Sequence, residues 1–229
     1  MSILKERKAF IESLIISDDM NNMIEDSNSD NDNIVEIKKK ILDFNKLIHK
    51  LNGKITYIKS GSTGHTFKGI LKDGSMVAIK IVAYPRKGHY GLPSNMNRPE
   101  NAELRMLKLL SKFVLESSTP HIILPVTTFY SNIQSFIGTN IRNSLTDAKK
   151  YDDFIEKCEK SEYYEYCSIL ISEWADSGDL LDFIRKHHTS LKLAHWRNIF
   201  FQIISTLAII QDKYPGFRHN DLKANNVLV

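Results

Sequence analysis

The chain has 229 residues, 42% hydrophobic and 25% charged, with 31 basic and 27 acidic residues and a formal net charge of +4. That is the composition of an ordinary globular protein with room for one or two cores, and so small a positive surplus argues against the clustered basic face of a nucleic-acid-binding protein. Two cysteines, Cys158 and Cys167, make neither a disulfide framework nor a zinc spacing, and read as free thiols in a reducing, cytoplasmic compartment.

Met1–Phe10 lacks the layout of a signal peptide. A short helix is expected around Ala9–Ile16, and Asp18–Asn33, rich in Asp, Asn and Ser, reads as the flexible acidic part of an N-terminal segment 1–33. In Ile34–Leu51 the apolar residues Ile34, Ile37, Ile41, Phe44, Ile48 and Leu51 alternate spacings of three and four, the stripe of an amphipathic helix. Such a helix either packs on the following domain or docks a partner.

Lys54–Gly61 alternates as a strand, and His65–Leu71 follows a glycine-containing turn. Asp73-Gly74 signals a hairpin into the strand Ser75–Tyr84, completing a three-stranded meander. Lys87–Pro99 is a loop by its Gly, Pro and Asn content, and Glu100–Glu116 is a helix. His121–Tyr130 and Cys167–Trp174 are further strands, and the polar stretch Ser131–Tyr166 between them is long enough to carry its own helix. Leu180–His187 and His195–Lys213 are helices, the second stopped by Pro215-Gly216. Its apolar run Ile199–Ile210, interrupted by Gln202, Ser205 and Thr206, reads as a buried helix too short to span a bilayer. The closing residues form a loop and then a strand. Strands first and helices after is an α+β order.

Four features carry chemistry. Gly61 and Gly64 sit in the turn of "SGSTGHTF", where a missing Cβ lets backbone N–H groups approach phosphate oxygens; a plain hairpin turn would use the same residues. Lys80 stands inside the apolar strand "VAIK" and either faces water or needs an anionic partner. Glu103, early in the next helix, is the candidate partner, with Glu100 one turn earlier as the competitor. In "RHNDLKANNVLV", Asp221 could accept a proton from a hydroxyl, Lys223 could neutralise a transferring phosphate, and Asn226 could offer an oxygen to a divalent metal.

The order of these features resembles the protein kinase family. "SGSTGHTFKG" is similar to its glycine-rich loop, "VAIK" to its strand lysine, "ILISEWADSGDLLDFI" to the hinge between its lobes, and "HNDLKANNVLV" to its catalytic loop, closer to the serine/threonine pattern than to the tyrosine one. The resemblance runs from about Leu51 to Val229. It implies a kinase-like α+β fold, with a five-stranded antiparallel N-lobe and one main helix over 52–173 and a partial helical C-lobe over 174–229. It also implies ATP and Mg2+ as cofactors and a protein substrate, with no role for nucleic acid or membrane.

Residue by residue, the resemblance places Ile58, Lys59, Ser60, Gly61, Ser62, Thr63, Gly64, His65 and Thr66 along the nucleotide, with Gly61 and Gly64 over its phosphates. Ala78 joins the nucleotide pocket, Lys80 holds the α- and β-phosphates, and Glu103 orients Lys80. Glu173 to Ala175 offer backbone groups to adenine, with Ser172 guarding the back of the pocket. Asp221 accepts the substrate proton, Lys223 contacts the γ-phosphate, and Asn226 binds magnesium.

There are departures. Lys59 stands at the first loop glycine, Thr66 at the usual valine, and Asn220 at the arginine before the catalytic aspartate. The family's Asp-Phe-Gly segment, its activation loop and its remaining helices do not occur within the 229 residues. The chain therefore reads as the truncated front part of a kinase, expected to have little or no activity alone. Two other readings stand beside it: a non-catalytic ATP- or partner-binding remnant, and a small-molecule phosphotransferase, which would share an Asp-x-x-x-x-Asn loop.

Overall fold

The strands expected between residues 54 and 174 form one antiparallel sheet in the computed structural model, which describes residues 5–7, 9, 21–22, 44, 47, 54–61, 64–137 and 148–229. Two units divide the chain: residues 1–111 with 123–173, and residues 112–122 with 174–229.

The first unit is built on strands β1 (Asn21–Asn22), β2 (Lys54–Ser60), β3 (His65–Ile70), β4 (Met76–Val82), β5 (Pro125–Asn132) and β6 (Tyr166–Glu173), in the order β1-β5-β6-β4-β3-β2. The five long strands are those expected from alternation. The two-residue β1 adds a short edge, with Asn21 opposite Thr128 and Asn22 opposite Thr127, inside the segment expected to be a flexible linker. The other residues of that segment, and the helix expected around 9–16 apart from Ala9, lie outside the described residues. The β3–β4 turn closes as "DG" predicts: Gly74 takes φ +86°, and the Asp73 carboxylate accepts the Ser75 N–H at 2.9 Å.

Helix α1 (Pro99–Leu115) opens with proline at its first turn, where no N–H is needed. Strand β5 starts at Pro125 rather than His121, because the Leu124 N–H bonds the Glu173 carboxylate at 2.7 Å and its carbonyl accepts the Glu173 N–H at 3.2 Å.

Strand register assigns residues to the two faces of the sheet. Lys59, Thr66, Lys80, Leu170 and Thr128 lie on one rung and share a face, on which Leu170 packs with Leu104 and Leu107 of α1. Tyr57, His65 and Phe67 point to the other face. The β5–β6 insert covers it with α2 (Ile133–Ile137) and α3 (Ala148–Glu159), bringing Phe136, Tyr151 and Phe154 onto those rings. Phe44 and Leu47 are helical and buried, Phe44 edge-on to Phe136 with ring centroids 5.2 Å apart. These two residues of the expected 34–51 helix thus pack within their own chain; the rest of it lies outside the described residues.

The second unit holds α4 (Leu180–His187) and α5 (Leu193–Lys213). Asp179 caps α4 by accepting the Asp182 N–H at 3.0 Å, just after Gly178 at φ +75°. Helix α5 starts two residues before its expected position, because the His195 ring nitrogen accepts the Lys192 backbone N–H at 2.9 Å and completes the first turn. Thr206 of α5 meets the Thr119 hydroxyl at 3.2 Å, Lys213 lies 3.7 Å from Glu116, and Tyr214 stands edge-on to Phe113.

The expectation that no apolar run is long enough for a membrane needs correcting. The interrupted run of 12 residues lies in a helix of 21, which is long and apolar enough by length and composition to cross a bilayer. Its Thr206 and Ile210 are buried within the unit, whereas Phe200, Phe201 and Ile204 are exposed, so the expected burial holds for one side only.

Candidate functional site

The predicted site residues fall into two sets, one in each unit. In the first unit β2 and β3 form the glycine hairpin. A bulge at Ile58 shifts the register between Tyr57 and Lys59, after which Lys59 pairs with Thr66 and Ser60 with His65. The Gly61 N–H bonds the Gly64 carbonyl at 2.8 Å and closes the turn; Ser62 and Thr63 lie outside the described residues.

The two glycines differ. A Cβ on Gly61 would meet nothing closer than 3.8 Å, whereas one on Gly64 would stand 2.3 Å from the Ile81 carbonyl oxygen and 3.0 Å from Val82 Cγ2. Gly64 is thus required by the close approach of the hairpin to β4, and Gly61 leaves its turn open. His65 turns away from the Thr66 face, into the aromatic cluster: its ring lies 4.4 Å from Phe154, and Nδ1 is 3.4 Å from the Tyr57 hydroxyl.

Thr66, Ala78 and Lys80 line the α1 face of the sheet. Lys80 Nζ bonds the Glu103 carboxylate, with side chains 19% and 40% exposed respectively, which decides between the two glutamates. Glu100 is occupied by Arg98, whose Nε is 3.1 Å away. Arg98 is buried, donates to the Pro85 carbonyl at 3.0 Å and lies over the Tyr84 ring. Asn101 accepts the Tyr84 hydroxyl at 2.8 Å and donates to the Pro93 and Asn95 carbonyls. The loop before α1 is thus pinned to the helix start, and Glu103 follows one turn on.

Glu173 ends β6 opposite Val77, and Ser172 pairs with Ala78. The Glu173 carboxylate takes three N–H groups: Arg7 Nε at 2.8 Å, Arg7 Nη2 at 2.7 Å and the Leu124 N–H at 2.7 Å. Arg7 was not expected from the sequence; it is one of three basic residues in Lys5–Lys8, 166 positions from its partner, and carries no local signal.

In the second unit Asp221, Lys223 and Asn226 converge. Lys223 Nζ lies 2.9 Å from Asp221 Oδ1, and the Asn226 amide nitrogen donates to the Asp221 carbonyl at 2.9 Å and to Oδ2 at 2.8 Å. The Lys223 bond, and then the Asn226 bond, hold the Asp221 carboxyl below the usual aspartate value of 3.8. Asn220 supplies the turn at φ +61°, a conformation that asparagine tolerates better than most residues.

A single 3-10 turn, Ala224–Asn226, leads into Val227–Val229, which forms only an isolated bridge, Leu228 opposite Asp179, where the sequence suggested a strand; it is anchored to the start of α4 by Leu180 N–H to Val227 carbonyl at 2.7 Å and Val229 N–H to Gly178 carbonyl at 2.9 Å. Ala175, just before this anchor, accepts the Gly178 N–H at 3.2 Å.

The set suits a metal as one member of a shared ligand shell. Asn226 directs its nitrogen to Asp221, which leaves its amide oxygen as a hard donor. Among the described residues there is no group of three or more His, Cys, Asp or Glu able to hold a metal alone. His187, His188 and His195, grouped in the sequence, serve the ends of α4 and α5: His187 lies against Phe183, His188 bonds the Arg185 carbonyl at 3.0 Å, and His195 caps α5.

Comparison with known proteins matches residues 153–229 to the family model for protein tyrosine and serine/threonine kinases. Two relatives are proteins of Acanthamoeba polyphaga mimivirus. "Putative serine/threonine-protein kinase R400" is 47% identical over 200 residues, covering 84% of this chain and 42% of the relative. "Putative serine/threonine-protein kinase R301" is 26% identical over 211 residues, covering 77% of this chain and 50% of the relative. The matched regions thus span half or less of the length of these curated relatives.

Proposed function

Because the chain belongs to the eukaryotic-type protein kinase family, we propose that it serves ATP-dependent phosphoryl transfer to serine and threonine hydroxyls of protein substrates. The observation that carries this reading is the Lys80–Glu103 ion pair, a lysine inside an apolar strand held by a helix carboxylate. A buried-side ammonium so oriented is a fixed donor for phosphate oxygens. Thr66 and Ala78, on the same face as Lys80, would lie against the adenine, and backbone groups from Glu173 to Ala175 would meet its edge.

Asp221 would accept the proton of the attacking hydroxyl and Lys223 would meet the transferring phosphate. Asn226 would hold Mg2+ through its amide oxygen, with nucleotide phosphates supplying further ligands; the ion would neutralise charge developing on the phosphates. The two cysteines, both buried and not joined in a disulfide, support a reducing intracellular setting.

The test is Mg-ATP binding by thermal shift and calorimetry, together with transfer of labelled γ-phosphate to a protein substrate, for the wild type, Lys80→Met and Asp221→Asn. Wild-type binding that Lys80→Met removes and Asp221→Asn leaves intact supports the reading. Labelling of a small metabolite in preference to protein would move it to small-molecule phosphotransfer. No binding of Mg-ATP would overturn it.

A further inference from the structure

A side chain of the N-terminal segment reaches the end of β6, where the nucleotide ring is proposed to sit. Residues 5–7 and 9 are helical, and Arg7 presents its guanidinium to Glu173 as a two-pronged fork, through Nε at 2.8 Å and Nη2 at 2.7 Å. This geometry is available to arginine and not to lysine. The pair is largely withdrawn from water, with side chains 20% and 11% exposed.

Glu173 has a second attachment. Its carboxylate accepts the Leu124 N–H at 2.7 Å, while its own N–H donates to the Leu124 carbonyl at 3.2 Å. Leu124 is fully buried. The end of β6 is therefore closed into a ring with Leu124, and Arg7 supplies the positive charge that balances the carboxylate in that ring. Without Arg7 a mostly buried carboxylate would keep the Leu124 N–H but lose its counter-charge, an expensive state that it would relieve by moving towards water. Moving the carboxylate moves the Glu173 backbone, which lies opposite Val77 and next to Ser172, the partner of Ala78.

We infer that Arg7 is a positioning residue for nucleotide-ring recognition: by neutralising Glu173 it fixes the backbone at the end of β6 in the geometry that selects the purine. The inference rests on the nucleotide reading above and extends it to a segment outside the kinase-like region. Arg7 acts through the Glu173 carboxylate at the end of β6, so its removal acts on discrimination between rings. A loss of general stability would weaken all nucleotides alike.

The experiment uses the full 229-residue chain and the variants Arg7→Ala and Arg7→Lys. Affinities for Mg-ATP and Mg-GTP are measured by calorimetry, and amide hydrogen exchange is followed at Leu124 and across Tyr166–Glu173. Arg7→Ala is expected to reduce the ATP-to-GTP affinity ratio by about five- to tenfold, the low end of typical couplings between linked sites. Arg7→Lys is expected to fall between Arg7→Ala and the wild type, because it keeps the charge and loses the fork. Exchange at the Leu124 and Glu173 amides should quicken in Arg7→Ala. An unchanged ratio, with wild-type ATP binding intact, overturns the inference alone. Failure of the wild type to bind either nucleotide overturns the nucleotide reading and this inference with it.

Discussion

Asn226 grips Asp221 at two points, its backbone carbonyl at 2.9 Å and its carboxylate at 2.8 Å, while Lys223 holds the other carboxylate oxygen at 2.9 Å. All three side chains are exposed, so solvent reaches the cluster and its value lies in orientation. The bonds favour the ionised carboxylate, whose folded-state pKa is therefore depressed. Any stability it lends is present above the usual aspartate value of 3.8 and is lost only as pH falls further, through the lowered folded value. A carboxyl NMR titration should place the Asp221 midpoint below 3.8, and Lys223→Ala and Asn226→Ala should each raise it towards that value. An Asp221 midpoint that neither substitution moves would show that the cluster does not hold in solution.

The Lys80–Glu103 pair predicts a separation of binding from stability. With 19% and 40% side-chain exposure the pair is partly screened, so Glu103→Gln should lower unfolding free energy by no more than about 1 kcal/mol. Lys80→Met should weaken Mg-ATP binding by about 10- to 100-fold, the ~1.5–3 kcal/mol of a charged hydrogen bond. Glu103→Gln should fall between, since the lysine remains but is less firmly aimed. Urea unfolding and calorimetry on the same three proteins check both halves; equal Mg-ATP affinity in Lys80→Met and wild type would remove this lysine from the site.

Much of this arrangement was legible before any coordinates. The strands of the meander show as alternation, "DG" shows as the turn, and the insert helix shows as a stretch too long for a hairpin loop. These signals are local, within a few residues of what they specify. The choice of Glu103 over Glu100 follows in the sequence from the family resemblance alone, because both stand near the start of the same helix; in the structure Arg98 occupies Glu100 from outside the helix and leaves Glu103 to Lys80. Arg7 was illegible, since its partner is 166 residues away and nothing in its own segment marks it. The role of Gly64 was legible only in part. Its residue type suggests access for phosphate, and the structure adds a packing requirement imposed by β4, a strand 12 residues further on.

That packing requirement separates the two loop glycines. Gly64→Ala places a methyl group 2.3 Å from the Ile81 carbonyl oxygen, backbone that cannot yield without disturbing the β3–β4 ladder. It should destabilise the first unit by about 1–3 kcal/mol, as overpacking does. Gly61→Ala meets open space and should change stability by less than about 0.5 kcal/mol. Urea midpoints of the two variants decide this; similar losses would mean that the hairpin does not approach β4 so closely.

Cys158 offers a probe of the insert. It is buried on α3, and desolvation pushes its thiol up to about 12. The reactive thiolate is therefore scarce at neutral pH. Cys158 should resist iodoacetamide in the native protein and react promptly once urea unfolds the first unit. Labelling at native conditions as fast as that of a free thiol would show that α3 is not docked.

The energetics of the insert can be tested through one ring. Phe154 is buried and meets His65 at 4.4 Å, Tyr163 at 5.8 Å and Phe136 at 6.1 Å between ring centroids. It therefore joins α3 to the back of the glycine hairpin through His65 of β3, beside the contacts that Tyr151 makes with Tyr57, His65 and Phe67. Phe154→Ala removes that joint and leaves a cavity beside His65, which should cost about 3–5 kcal/mol. The loss should be local in its first effects. Hydrogen exchange should rise across β2 and β3 before it rises in α4 and α5, because the emptied space lies against His65 of β3 and against Tyr151, whose ring meets Tyr57 of β2 and Phe67 of β3. Phe154→Leu, which keeps most of the volume but loses the ring stacking on His65, should recover the larger part of the stability. If Phe154→Ala unfolds with the wild-type midpoint, the insert is an appendage, and the hairpin owes its order to β4 alone.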